Sequence, residues 1–456
     1  MQLKKGDIIE LEIEDLAFGG AGIGKFEGCA VFVKETMPGD KVKASLTKIK
    51  KQYMEAKLAE IVEASKDRVI PKCKYSSVCG GCQIQFMPYE KQIAHKQQNV
   101  IDCFERIGEL KNPPVKDIIP CDNHFYYRNK MEFSFGYDAE MKFTLGMHVP
   151  GRRFDIMDLT ECHLESESSH QIVNLAREFM HAKKWKPFKY SNGTGFLKHL
   201  SIREGKRTEE RMVNLITSNA LPKDIEKGLK EFVELIKDHC SSIYWTQVIS
   251  KRGTPRRHEE KLLFGEKYLT EEMHLENGDQ LSFDILPQAF FQVNTFQAEK
   301  LYQEVINLAT EKDHKIIFDL FCGTGTIGLF LAKHSEKVLG IEINESAVKA
   351  AKANAEKNNI FNIDFFNGDV AKVLKEIKEL PSLVVVDPPR VGLTAKAIEQ
   401  INDFNPSQII YVSCNPSTLA RDVKIFKEYG FKLKSVQPVD MFPQTFHVEN
   451  VCLLER

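Results

Sequence analysis

The chain lacks any long hydrophobic run. No stretch of its 456 residues approaches the ~20 apolar residues that a membrane-spanning helix needs. It also lacks the apolar segment of a signal peptide, because Met1-Gln-Leu-Lys-Lys-Gly-Asp7 is polar and charged. These two absences predict a cytoplasmic protein. Charge of one sign is missing as well: 63 Lys and Arg stand against 64 Asp and Glu, a net charge of −1. Global charge therefore offers no argument for nucleic-acid binding, and any such contact must come from local patches. Paired CxxC units are absent too. Only Cys79-Gly-Gly-Cys82 has that spacing, whereas a zinc ribbon wants two such units.

What is present is a globular composition, 42% hydrophobic and 28% charged. At ~150 residues per domain the length predicts about three domains. Residues 1–62 read as short strands around turns. Ile8–Ile13 alternates apolar and polar, Phe18–Gly24 is a glycine-rich bend, Cys29–Val33 is apolar, and 41–51 alternates with lysines on one face. This pattern predicts a small β-barrel. Its lysine face, Lys48 and Lys50 included, reads equally as a solvated strand face or as a phosphate contact. Residues 70–280 are a mixed α+β region in which basic and aromatic residues interleave. Examples are Tyr126-Tyr127-Arg128-Asn129-Lys130, Gly151-Arg152-Arg153-Phe154, Lys198-His199-Leu-Ser-Ile-Arg203 and the dense Lys251–His258 cluster. Residues 285–456 alternate helical and strand patterns, which predicts a parallel, doubly wound α/β sheet.

Three groups of residues carry chemistry. Gly323-x-Gly325-x-x-Gly328 follows a predicted strand and opens a predicted helix, and Glu342 ends the next strand. Glycines allow close approach of backbone to ligand, and a carboxylate there can accept both ribose hydroxyls. A packing turn is the plainer alternative, since that glycine spacing alone is weak. Cys414 follows the apolar run Ile409–Val412, and Glu449 precedes another apolar strand. A thiol can add to an electron-poor ring carbon, though buried cysteines more often simply pack. Cys73-x5-Cys79-x2-Cys82 puts three thiols within one short segment, and Cys162 is the candidate fourth. Four thiolates suit a [4Fe–4S] cluster; zinc and free thiols are the alternatives.

Asp319-x-Phe321-x-Gly323-x-Gly325 resembles the first motif of class I S-adenosylmethionine-dependent methyltransferases. Asp387-Pro-Pro-Arg390, Ser413-Cys414-Asn415-Pro416-Ser-Thr-Leu419 and His447-Val448-Glu449 together resemble the RNA 5-methyluridine (uracil-C5) methyltransferase family, over essentially the whole chain. The resemblance implies a class I (Rossmann-like) domain, an N-terminal OB-like TRAM barrel and a central iron–sulfur domain. It implies Cys414 as nucleophile and Glu449 as base. Gln292, Phe321, Gly323, Gly325, Thr326, Glu342 and Asp387 would hold S-adenosylmethionine, with Asp369 near the adenine. Thr326 occupies a position that is asparagine in some relatives. His447 is a supporting candidate. Ribosomal-RNA members carry a cluster with the same three-plus-one cysteine pattern, which supports Cys73, Cys79, Cys82 and Cys162 as its ligands.

The expected partner is RNA, with no membrane, DNA or obligate protein partner implied. A uridine inside a duplex cannot present C6 to a thiol, so the target must be unstacked or flipped. Lys48, Lys50, Arg128, Lys130 and Arg390 are the candidate RNA contacts. Barrel and thiol set together favour 23S ribosomal RNA over tRNA, which stays open. The competing readings are a cytosine-C5 or adenine-N6 enzyme, a radical enzyme, and a non-catalytic iron–sulfur RNA-binding protein. The Asp-Pro-Pro-Arg motif lacks the aromatic residue expected for amino methylation, and the thiol spacing departs from the tighter radical-enzyme pattern.

Overall fold

The computed structural model describes residues 3–152, 154–250 and 257–456. Arg153 and the basic residues Lys251, Arg252 and Arg256 lie outside the described residues. Strands Ile8–Leu16 (β1), Gly22–Phe26 (β2), Cys29–Val33 (β3), Lys41–Ile49 (β4) and Tyr53–Glu63 (β5) close into a barrel in the order β1-β2-β3-β5-β4. Alternate residues point inward, as a period of two requires, so Ile9, Leu11, Ile13, Val31, Val33, Val42 and Leu46 fill the interior. The outward lysines of β4 are matched across the sheet: Lys41 with Glu63 at 2.6 Å, Lys43 with Glu60 at 2.9 Å, Lys48 with Glu55 at 2.7 Å. This face alternates in sign, a feature that the lysine spacing alone did not reveal.

Helix Tyr89–Arg106 (α1) precedes a seven-stranded sheet. Its members are Lys130–Tyr137 (β6), Phe143–His148 (β7), Ile156–Asp158 (β8), Leu197–Glu204 (β9), Arg211–Ser218 (β10), Ser242–Ile249 (β11) and Arg257–Gly265 (β12), in the order β12-β11-β10-β9-β6-β7-β8. Helices Glu167–Ala182 (α2) and Ile225–Ile236 (α3) cover one face, burying Phe133, Leu200 and Leu215 against Val173 and Phe232. Helix α1 instead packs on the C-terminal core through Val100, Cys103 and Phe104. So does the hairpin Leu269–His274 (β13) and Gln280–Ile285 (β14), through Leu269, Met273 and Phe283.

The C-terminal sheet contains Ile316–Leu320 (β15), Lys337–Glu342 (β16), Ile363–Asn367 (β17), Leu383–Val386 (β18), Gln408–Ser413 (β19), Lys432–Val439 (β20) and Glu449–Glu455 (β21). The order is β17-β16-β15-β18-β19-β21-β20. Helices Thr295–Thr310 (α4), Thr326–Ala332 (α5), Glu345–Lys357 (α6), Val370–Val373 (α7), Ala395–Asp403 (α8) and Pro416–Glu428 (α9) lie between and before the strands. Side-chain caps fix their starts where the sequence supplies them: Asn294, Asn344, Thr394 and Asn415 each accept a backbone amide. The first five strands pair in parallel, as the alternating pattern predicts. The last two do not. Strand β21 inserts antiparallel between β19 and β20, with Ser413 opposite Asn450. No helix among the described residues is long and apolar enough to cross a membrane.

The segment from β20 to β21 is tied to α1 by polar contacts that are buried or nearly so. Lys96 Nζ donates to Asp440 Oδ1 at 2.6 Å, and neither side chain is exposed. Tyr89 donates its hydroxyl to Asp440 Oδ2, and Gln92 bonds Gln444 through both side chain and backbone. Removing one partner of such a pair strands the other charge. Lys96→Met is therefore expected to destabilise the fold by about 3–5 kcal/mol, with Lys96→Met/Asp440→Leu recovering much of the loss. Denaturant unfolding of the three proteins checks this; equal stability of the single variant and the wild type would refute it.

Candidate active site

The carboxyl ends of β15, β16, β18 and β19 meet along one sheet edge. Strand β15 ends at Leu320, and the chain turns through Phe321, held at φ 65. A bulky residue with positive φ costs on the order of 1–3 kcal/mol and persists where the surroundings impose it. The loop is then built on two glycines. Gly325 caps α5 at φ 80, where a Cβ would lie 2.8 Å from the Phe365 ring. Gly323, at φ 55, faces open space, and its amide donates to Glu342 Oε2 at 3.1 Å. Glu342 also accepts from Asn344 N, so the carboxylate is oriented toward the loop. Thr326 is buried at the first turn of α5, and Gln292 is buried in the segment before α4. Asp369 is exposed at the start of α7. Asp387 follows β18 at the same sheet edge.

Beside them the antiparallel insertion of β21 does what a parallel strand could not. Its first residue, Glu449, comes to the same edge as Cys414, which follows β19. Cys414 is half-buried and Glu449 is buried. Burial, then the nearby Glu449 and Asp387 carboxylates, pushes the Cys414 thiol up to about 11, with the Arg390 guanidinium pulling the other way. Burial and then Asp387 push Glu449 up to about 8, again opposed by Arg390. Burial takes Asp387 up to about 7 and, with Asp387 and Glu342 adding, Asp319 up to about 8. Asp319 is fully buried, and neither carboxylate oxygen has a partner of ordinary hydrogen-bond geometry. Carboxylates thus outnumber cations along this edge. Such a pocket favours a cationic ligand, whose charge would lower all these values.

A second cluster lies in the central region. Cys73, Cys79, Cys82 and Cys162 line one cavity, together with Tyr75, Gln85 and Met131. Burial is the main cause that raises all four thiols, Cys82 and Cys162 to about 12, and their neighbouring thiols add to the rise in Cys79, Cys82 and Cys162. Among the described residues no group of three His, Cys, Asp or Glu side chains is drawn together as a site for a metal ion.

Of the candidate RNA contacts, Arg390 is exposed beside Cys414. Arg128 is half-buried over the Phe442 ring at 5.9 Å, and its Nε has no partner. Lys130 is half-buried, its ammonium pulled down to about 8 by burial and by the neighbouring Arg203. Lys48 is paired with Glu55, and Lys50 is exposed at the end of the β4–β5 hairpin. Arg390 acts on Cys414 and Glu449, and both Arg390 and Arg128 act on His447. Sequence reasoning missed two side chains. Phe290, 65% exposed, flanks the Gln292 segment, and its carbonyl accepts from Thr324. Tyr302 is buried on α4, where burial and the Asp387, Glu449 and Asp319 carboxylates raise its hydroxyl. Its helical position matches the apolar stripe of α4, so no periodicity could have marked it.

The electrostatics have a stability consequence. Glu449 holds its proton in the folded state up to about pH 8 but loses it near 4.5 when unfolded, so ionisation opposes folding. The wild type should lose stability relative to Glu449→Gln as pH rises through that window. Thermal midpoints across the range check this; a pH-independent difference would refute it.

Comparison with known proteins accords with this geometry. Residues 89–456 match the tRNA (Uracil-5-)-methyltransferase family, and residues 2–59 match the TRAM domain. An uncharacterized RNA methyltransferase of Chlorobaculum tepidum is 38% identical across 100% of this chain and 98% of its own length. One from Clostridium acetobutylicum is 38% identical across 100% and 99%. The crystal structure of the Pyrococcus abyssi tRNA (uracil-54, C5)-methyltransferase with S-adenosyl-L-homocysteine superposes with a TM-score of 0.76 at 28% identity. It covers 98% of this chain and 100% of that one. A glycine loop on an acid-rich sheet edge, a thiol beside a buried carboxyl and a TRAM barrel at the N-terminus thus sit in a chain that belongs to the RNA uracil-5-methyltransferase family and is an S-adenosylmethionine-dependent RNA methyltransferase.

Proposed function

We propose that this chain methylates C5 of a specific uridine in 23S ribosomal RNA, through a covalent bond between Cys414 and C6 of the base. The observation that carries the proposal is the pairing of Cys414 with Glu449 across β19 and β21, on the edge that holds the glycine loop. Bound S-adenosylmethionine supplies an electrophilic methyl on a sulfonium; Gln292, Phe321, Gly323, Gly325, Thr326, Glu342, Asp369 and Asp387 hold it. Arg390 favours the Cys414 thiolate against the neighbouring acids. The thiolate adds to C6, the C5–C6 double bond opens, and C5 becomes an enolate carbon able to take the methyl. Glu449 then removes the C5 proton, the double bond re-forms, and the Cys414–C6 bond breaks. A carboxyl raised to about 8 is a stronger proton acceptor than an ordinary glutamate, and it titrates near the working pH. The exposed Phe290 ring gives the unstacked base an aromatic surface at the mouth of the site.

We propose further that Cys73, Cys79, Cys82 and Cys162, which line one cavity, would hold a [4Fe–4S] cluster. Four half-buried cysteines lining one cavity suit a donor set of four thiolates, whose negative charge a cluster's iron would balance. Its role is structural: it clips the segment after the barrel to the loop after β8, and methyl transfer needs no electron. Barrel and thiol set together favour ribosomal RNA. The whole-length likeness to the Pyrococcus abyssi tRNA enzyme supports tRNA as the second reading.

Cys414→Ala is expected to abolish methyl transfer, and Glu449→Gln to slow release by about 10²–10⁴-fold, so that RNA accumulates as a covalent adduct visible on denaturing gels. Full turnover by Cys414→Ala would refute the mechanism. Iron and sulfide should each approach about four per chain and fall in Cys79→Ser, while stoichiometric zinc would overturn the cluster. Mapping 5-methyluridine in rRNA and tRNA of a deletion strain, with and without this chain restored, decides the substrate.

A further inference from the structure

Four aromatic rings run in single file from the barrel to the active-site edge. Phe18, in the bend between β1 and β2, meets Phe446 edge-on with centroids 5.9 Å apart. Phe446 lies over His447 at 4.3 Å, and His447 meets Phe442 at 6.1 Å. Gly20, at φ 76, turns the bend that carries Phe18 and lies against Phe446, with a Cβ built there in ordinary contact with that ring at 3.7 Å.

Rings in such a file ordinarily belong to a core. Phe18, Phe446 and His447 belong to none of the buried apolar clusters of the described residues. Phe18 is 43% exposed, and the other two are half-buried. Its third ring, His447, stands two residues before Glu449, so the file passes beside the Cys414–Glu449 edge. Its charge environment is cationic. Arg390 and Arg128 both act on His447, and Arg128 also lies over Phe442 with its Nε unpartnered. Burial, reinforced by these cations and by Lys96, holds the imidazole down to about 4, so His447 presents an uncharged ring at neutral pH. Flat rings bordered by guanidinium groups are what single-stranded nucleic acid requires, because bases stack while the backbone follows positive charge.

We propose that Phe18, Phe446 and His447 form a stacking platform for the single-stranded nucleotides that flank the target uridine. The barrel thereby contributes through its glycine-rich bend rather than through the lysine strand β4, whose charges are matched by glutamates. The platform lets a splayed strand stack on either side of a uridine seated at Cys414. It deepens the reading of the chain as an RNA uridine methyltransferase and rests on it.

Two measurements test the platform. In methyl transfer to RNA from the deletion strain, Phe18→Ala and Phe446→Leu should raise KM for RNA about 5- to 150-fold, the equivalent of about 1–3 kcal/mol of lost stacking. Their kcat, KM for S-adenosylmethionine and thermal midpoint should stay unchanged, and Phe18→Trp should restore KM. An unchanged KM in Phe18→Ala, or an equal rise in Phe18→Trp, would overturn the proposal. The second measurement needs no turnover. A short oligouridylate with 2-aminopurine at its centre should be quenched by the wild type and several-fold less by Phe18→Ala. Quenching without any methyl transfer would sink the assigned reaction and keep the platform. Methyl transfer with identical quenching by wild type and variant would sink the platform alone.

Discussion

The antiparallel register of β21 between β19 and β20 is the constraint on which the rest of the site depends. Side chains alternate along a strand, so a one-residue slip would turn Glu449 away from Cys414 and force Val451 and Leu453 out of one core and into the other, repacking both. Burial on both sides of the sheet therefore enforces the chemistry. The reversal of direction matters equally. Parallel strands deliver only their carboxyl ends to the ligand edge, and an inserted antiparallel strand delivers its amino end there as well. That is how a residue close to the C-terminus joins groups from β15, β16, β18 and β19.

The connection that leads into β21 is held by matched buried charge rather than by regular structure. Lys96 and Asp440 satisfy one another, with Tyr89 and the Phe442 carbonyl completing their hydrogen bonds. Helix α1 acts as a strut for the segment that carries Phe442, Phe446 and His447, and it joins the C-terminal core rather than the central sheet. The aromatic file then reaches outward from the same segment to the barrel. Catalytic edge, strut and barrel contact all meet on some ten residues before β21. Change in that segment would reach Cys414, Glu449 and the barrel contact together.

Electrostatics set the character of the edge. Asp319, Asp387 and Glu449 are each raised chiefly by burial, and Arg390 is the exposed cation that opposes the rise at Cys414 and Glu449. A cation bound at this edge would lower all of these values, which links its binding to the ionisation of Glu449.

Much of this was legible in the chain itself. Period-two alternation marked the barrel strands, and apolar runs bounded by glycine or asparagine marked β15, β16, β18, β19 and the helices between them. Spacing singled out the glycine loop and three of the thiols. These features are local, set by backbone sterics, capping and hydrophobic period, and so they survive reading in one dimension. The reversal of β21 was not legible, because an apolar strand has the same composition in either direction. Nor was the matching of the β4 lysines by β5 glutamates, since cross-strand partners are defined by register. Tyr302 and Phe18 were equally hidden: one wears the pattern of a core helix and the other that of a turn. The sequence by itself determined which elements form and which side chains carry reactive groups. Only the tertiary structure decided which of them meet, because direction, register and burial arise from packing between segments hundreds of residues apart.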